Sequence, residues 1–188
     1  MGTLSLSSVE EGAGKTALCA ALGRKLIAQG KRVGFLKPLR IITEKVKTSD
    51  RDAEFIKQVL GLEEAVEALC PVTLTLGELD AALGERRFLE EIEVAYKAMA
   101  QGKDVVLIEG LRGLGVDKNL TQASYEIAEV LNAKVLVVAR YSPDFSLAKI
   151  SEARRGFAAR MLGVVINGVP PAMMAQLKGL KALGVLPE

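Results

Sequence analysis

The nine residues Ser8-Val9-Glu10-Glu11-Gly12-Ala13-Gly14-Lys15-Thr16 constrain this chain more than any other stretch. They lie between an apolar run at residues 3–8 and a stretch whose Leu18, Leu22 and Leu26 share one helical face. A strand that turns through two glycines into a helix makes a backbone concavity. Gly12 and Gly14 free the backbone to point successive N–H groups inward, where they suit phosphate oxygens. The helix beginning there adds its positive dipole end. Lys15 brings a cation to the phosphates, and the Thr16 hydroxyl is a magnesium ligand by type. The plain alternative is a glycine-rich turn with an exposed lysine. The strand before and the helix after the segment argue against that.

The rest of the chain repeats the alternation. Apolar runs at residues 3–8, 32–37, 104–109, 134–139, 161–167 and 182–186 are rich in Val, Leu and Ile without clean alternation, as strands buried on both faces should be. Residues 14–29 read as a helix stopped by Gly30. Residues 87–101 read as another, with Phe88, Ile92, Ala95 and Met99 on one face and Gly102 as its stop. Thr121 is expected to cap a further helix through Leu131. Strand–helix alternation predicts an α/β fold with a mainly parallel central sheet covered on both faces. Its ligands are expected at the carboxyl ends of the strands. Between 38 and 86 the pattern predicts only a loop, a helix over 52–60 and an irregular piece.

Composition narrows the function classes. A length of 188 residues suits one domain. Hydrophobic residues at 49% can fill a core, which excludes general disorder. The net charge of +2 supplies neither a nucleic-acid coat nor a polybasic membrane surface. No apolar run approaches the ~18 residues that span a bilayer, and residues 1–5 lack the pattern of a signal peptide. The two cysteines, Cys19 and Cys70, form no metal pattern and read as packing residues suited to a reduced cytoplasm. Histidine is absent, so His-based general bases and His-ligated zinc are excluded.

Several polar residues stand at the ends of predicted strands. Glu109 closes an apolar strand before Gly110, where an acid faces either a cation or solvent. Asp52 is either a second cation ligand or a helix-start acid favoured by the dipole. Lys37, followed by Pro38, either reaches an anion near the loop or is a surface lysine. Asn167 offers a donor and an acceptor to a purine edge, or forms a turn before Gly168. Arg112 and Arg140 could also face phosphate.

In order along the chain, residues 8–16, Lys37-Pro38, Asp52-Ala53, Glu109-Gly110 and Asn167 resemble the dethiobiotin synthetase-like branch of P-loop proteins. Leu183-Gly184-Val185-Leu186-Pro187 resembles that group's last strand and base-side loop. Within the branch, Gly14-Lys15-Thr16-Ala17-Leu18, Val33-Gly34-Phe35-Leu36-Lys37-Pro38, Ile108-Glu109-Gly110 and Val164-Val165-Ile166-Asn167-Gly168-Val169-Pro170 are similar to the ATP-binding domain found in phosphotransacetylase-like and DRTGG-domain proteins. The resemblance implies a three-layer P-loop NTPase fold over residues 1–188. It implies ATP and Mg2+ as cofactors, with Thr16, Asp52 and Glu109 on the metal. Glu11, Gly12, Ala13, Gly14, Lys15, Thr16 and Ala17 would bind phosphates, and Asn167 and Pro187 would meet the base. Lys15 and Lys37 would be catalytic, Lys37 by anchoring a small anionic substrate. A homodimer, and a further C-terminal domain or associated enzyme, are implied as partners.

Three departures sharpen the resemblance. The loop has Val9 where a Walker A motif has its first glycine, so it is lengthened and starts from Ser8. Glu10 stands where partition ATPases carry a second lysine, which disfavours that activity. Leu39-Arg40-Ile41-Ile42 replaces the small serine-containing segment that contacts substrate in dethiobiotin synthetases. The expected function is therefore a magnesium-dependent ATPase or ligase-type phosphoryl transfer. Its rivals are a non-catalytic nucleotide sensor and dethiobiotin synthesis itself.

Overall fold

A computed structural model describes residues 1–43, 49–142, 147–174 and 182–187. Six strands form the central sheet: β1 (Gly2–Ser8), β2 (Val33–Leu36), β5 (Val105–Glu109), β6 (Lys134–Arg140), β7 (Met161–Val169) and β8 (Gly184–Pro187). Their order is β2-β5-β1-β6-β7-β8, and every pairing among them is parallel. Helices α1 (Lys15–Ala28), α2 (Arg51–Leu60), α5 (Arg87–Ala100), α6 (Lys118–Val130) and α7 (Leu147–Phe157) flank the sheet. This is the α/β, parallel-sheet architecture that the apolar runs predict.

Burial explains why the strands lack alternation. Five consecutive residues of β6 and the last four of β1 and of β5 are buried. Both faces are covered, so these positions take apolar or small residues, with Glu109 at the end of β5 as the exception. One core cluster joins β1, β2 and β5 to α1, α2, α5 and α6 through Leu6, Phe35, Ile56, Ile92 and Ile108. A smaller one joins β6 and β7 to α7 through Val137, Ile150, Phe157 and Ile166. Each such fully buried side chain contributes about 1.5–3 kcal/mol.

Three expectations need correction. Residues 38–86 are more regular than their composition suggests. They hold β3 (Leu39–Ile42), α2, a one-turn α3 (Val66–Leu69), β4 (Val72–Thr75) and α4 (Leu76–Glu85). Strands β3 and β4 pair in parallel with each other as a separate two-stranded sheet. Four-residue strands are too short to show a period, and the capping box that opens α4, between Thr75 and Glu78, follows β4 without a break. Residues 44–48, part of the charge-rich stretch, lie outside the described residues. Second, Asp117 rather than Thr121 caps α6, accepting from the Leu120 N–H at 2.8 Å. Thr121 sits inside the helix and donates to the Asp117 carbonyl at 2.6 Å. Third, β2 ends at Leu36, which leaves Lys37 beyond the sheet edge.

Candidate nucleotide site

Strand order creates the site. β1 lies between β5 and β6, and Leu6 is in register with Glu109. The phosphate-type loop after β1 and the acid ending β5 therefore meet at the same end of the sheet. Here a cavity of about 560 Å³ opens. Glu11, Gly12, Ala13, Gly14, Lys15, Thr16 and Ala17 all line it, with Lys37, Asp52 and Glu109. Leu39, Arg40, Ile41 and Asp50 complete a facing wall.

The loop is held by its own residues. Ser8 is fully buried, donates to the Glu10 carbonyl at 2.8 Å and accepts from Lys15 Nζ at 2.8 Å. Gly12 and Gly14 take φ of 68° and 93°, which favours glycine strongly. A Cβ on Gly14 would also overlap the Asn167 amide nitrogen. Gly14 is the N-cap of α1 and has no side chain with which to cap it, and the first turn of the helix holds no acid. Its leading N–H groups are thus left for a ligand, and the dipole there favours an anion. Burial lowers the Lys15 ammonium below its ordinary range, against the attraction of Glu109. Such a desolvated cation interacts strongly with an incoming phosphate.

Glu109 is 4% exposed. Its Oε1 accepts from the Thr16 hydroxyl at 3.1 Å, while its Oε2 is buried without a partner among the described residues. Burial pushes the carboxyl up from the usual carboxylate range, against the pull of Lys37 and Lys15. Lys37 stands on the other side, near Oε1. Its Nζ lies 2.7 Å from Asp52 Oδ2, 2.9 Å from Asp50 Oδ2 and 3.9 Å from Glu109 Oε1. Burial alone would lower this lysine; Glu109, Asp52 and Asp50 outweigh it and push it up to about 12.

The residues fit a magnesium–phosphate complex on two counts. Glu109 leaves a buried oxygen without a donor, and an ammonium already occupies the space between Asp52 and Glu109. Among the described residues no group of three or more His, Cys, Asp or Glu side chains is arranged to hold a metal alone. Magnesium does not require one, since it is commonly held by one or two carboxylates plus substrate phosphates.

Asn167 and Pro187 lie outside the cavity lining. Asn167 donates to the Ala13 carbonyl at 3.1 Å and accepts from the Gly168 N–H, so its amide braces the loop from β7. Pro187 pairs with Val169 at the neighbouring strand end and is exposed. Arg112 binds Glu11, and Glu10 accepts from the Arg140 backbone N–H. Glu10 is thus part of the loop's fastening to β6. Asp50 was not singled out by its sequence neighbourhood. It is 6% exposed, caps α2 through the Ala53 N–H at 2.9 Å, and meets both Lys37 and Arg40. Its helix-start position, three residues before Ala53, was the available signal. Cys19 is buried, and burial pushes its thiol up; burial also pushes the half-buried Cys70 thiol up, to about 12.

A family model described as AAA domain, AAA_26, matches residues 2–188. The chain is 30% identical over 205 residues to the ATP-dependent dethiobiotin synthetase of Anaeromyxobacter dehalogenans, covering 100% of this chain and 90% of that protein. This chain belongs to the dethiobiotin synthetase-like P-loop NTPases. The same family likeness extends to the phosphate acetyltransferase of Pseudomonas aeruginosa, at 28% identity over 141 residues. That match takes in 73% of this chain but only 19% of the much longer acetyltransferase. Among solved structures, the nucleotide-binding protein of Archaeoglobus fulgidus, in complex with ADP, superposes with a TM-score of 0.56 at 18% identity, over 99% of this chain and 81% of that one. The signal recognition particle 54 kDa protein of Aeropyrum pernix, in complex with GDP, gives 0.55 at 18% identity over 88% and 35%. These two likenesses establish the shared P-loop NTPase fold. No helix among the described residues is long and apolar enough to cross a membrane.

Proposed function

We propose that this chain binds ATP with magnesium and transfers its γ-phosphoryl group to a small carboxylate or carbamate. The observation that carries the reading is the convergence of Lys15, Thr16 and Glu109 below an uncapped helix start. The loop N–H groups of residues 11–16 and the Lys15 ammonium would take the β- and γ-phosphates. Thr16, Asp52 and Glu109 would hold the magnesium ion, which supplies charge neutralisation on the phosphates when bound. Lys15 stabilises negative charge as it migrates to the leaving oxygen. The acceptor carboxylate oxygen forms the new bond to the γ-phosphorus, the bond to the β–γ bridging oxygen breaks, and ADP leaves. Lys37, across the cavity, orients the acceptor anion.

Calorimetric titration of magnesium-ATP tests the binding step. Lys15→Ala is expected to weaken it at least about fiftyfold, the loss of one desolvated charge-assisted contact. Equal affinity in both proteins sinks the reading. A second reading, a nucleotide sensor without turnover, draws support from the Lys37 ammonium being engaged by Asp50 and Asp52. Steady-state phosphate release separates the two, because clear turnover rejects the pure sensor. Dethiobiotin synthesis is the substrate-specific form of the first reading. Carboxylation-dependent ADP formation with diaminopelargonate supports it, and no stimulation removes it.

A further inference from the structure

Lys37 and a magnesium ion compete for the same ground. The ammonium donates to Asp52 Oδ2 at 2.7 Å and stands 3.9 Å from Glu109 Oε1. A cation shared by these carboxylates sits about 2.0–2.1 Å from each ligand oxygen. Two positive charges cannot occupy that gap together without strong repulsion. The ammonium has somewhere else to go. Asp50 offers it both oxygens, Oδ1 at 3.0 Å and Oδ2 at 2.9 Å. Unlike half-exposed Asp52, Asp50 is buried and fixed by the α2 cap. It also stands 3.5 Å from Arg40 Nε.

We infer that Lys37 is a displaceable internal counter-cation of the metal site, and that Asp50 is the positioning residue that keeps it in the cavity when a metal ion takes over Asp52 and Glu109. The inference rests on the reading of Thr16, Asp52 and Glu109 as cation ligands. Its consequence is an order of events. Before the metal arrives, Lys37 is spent on carboxylates. Once Asp52 turns to the metal, one Lys37 N–H is released toward the cavity while Asp50 holds the rest of the ammonium. The acceptor-anion contact is therefore assembled only after the metal–nucleotide complex is seated. Asp50 also lets Lys37 and Arg40 stand side by side, since their mutual repulsion is offset by the carboxylate between them.

Mn2+ binding to the full chain, followed by electron paramagnetic resonance with and without ADP, tests this apart from activity. Lys37→Met and Lys37→Gln are both expected to bind Mn2+ about fivefold tighter than wild type, since the competitor is gone. Asp50→Asn keeps the helix cap but pushes Lys37 back onto Asp52 and Glu109, so it is expected to bind Mn2+ about threefold more weakly. In the double variant Asp50→Asn with Lys37→Met that weakening disappears, because Asp50 acts through the lysine. Arg112→Met, which removes a charge from the same cavity without touching Asp52 or Glu109, is the control. A gain there equal to that of Lys37→Met overturns the inference, because net charge alone then explains it. An undiminished Asp50→Asn effect in the Lys37→Met background overturns the positioning role. Unchanged affinity in both Lys37 variants, with binding lost in Glu109→Gln, overturns the inference and leaves the metal site standing. No saturable Mn2+ binding in any protein overturns both.

Discussion

The two walls of the cavity are built on different principles. One is the loop of residues 8–16, shaped by its own Ser8–Lys15 and Ser8–Glu10 hydrogen bonds and left-handed Gly12 and Gly14, and braced by Asn167 and the Arg140 backbone. It hangs from β1, the buried centre of the six-stranded sheet. The other wall is Lys37, Arg40, Asp50 and Asp52, drawn from a segment past the sheet edge and held by ion pairs. It leans on the two-stranded β3–β4 sheet. The first wall is set by backbone geometry and packing. The second is positioned by charges that balance one another and can exchange partners. That division suits a site whose phosphate grip stays constant while its charged side rearranges around each arriving ligand.

The sharpest way to break the comparison is through the supports. Phe35 in β2 is fully buried against the main core, while Ile41 in β3 is half-buried. Phe35→Ala is expected to cost about 3–5 kcal/mol of unfolding free energy in urea titration, and Ile41→Ala about 1 kcal/mol. Similar losses would show that the small sheet is as integral as the large one. Next comes the loop itself. Gly14→Ala combines a strained left-handed backbone with a Cβ that displaces Asn167. It should cost about 2 kcal/mol in stability and lower ATP affinity more than tenfold. A neutral Gly14→Ala would mean that the loop wall is pliable. A smaller effect is expected on the charged wall: Asp50→Ala should lose about 1 kcal/mol through its missing cap, while Asp50→Asn retains that part. Equal losses in thermal unfolding would place the stabilising role in the charge instead.

The smallest effect lies far from both walls and calibrates them. Asp104 accepts from the Arg32 backbone N–H at 2.9 Å and pairs with its guanidinium at 2.9 Å. These contacts hold its carboxyl well below the usual carboxylate range. A depressed folded-state value means stability that is fully present above the unfolded value of about 3.9 and lost as pH falls below it. Wild type is therefore expected to lose slightly more stability than Asp104→Asn as pH drops from about 5 to about 2. Identical acid profiles would show that this exposed pair contributes nothing.

Local rules made the loop wall legible. Two glycines, a lysine and a threonine between strand and helix describe their geometry without reference to the rest of the chain. Glu109 was equally readable, because an acid ending an apolar strand is costly without a reason. Asp50 escaped notice because its partners Lys37 and Arg40 are 13 and 10 positions away, and no periodicity links them. β3 and β4 escaped for the same physical reason. Pairing between residues 39–42 and 72–75 is a tertiary fact, and four residues carry too weak a pattern to announce it. Thr121 shows the opposite error: a good capping residue was four positions late, because Asp117 had already taken the cap.

One consequence of the small sheet concerns engineering. Among the described residues, the ladders of β3 and β4 pair only with each other, and no strand of the central sheet depends on them for its register. The cavity-lining Arg40 and Ile41 of β3 can thus be exchanged without touching the register of the central sheet. On the proposed reading, exchanging those two side chains for a relative's would retune which acceptor the protein takes, while Asp52 and the phosphate loop stay as they are.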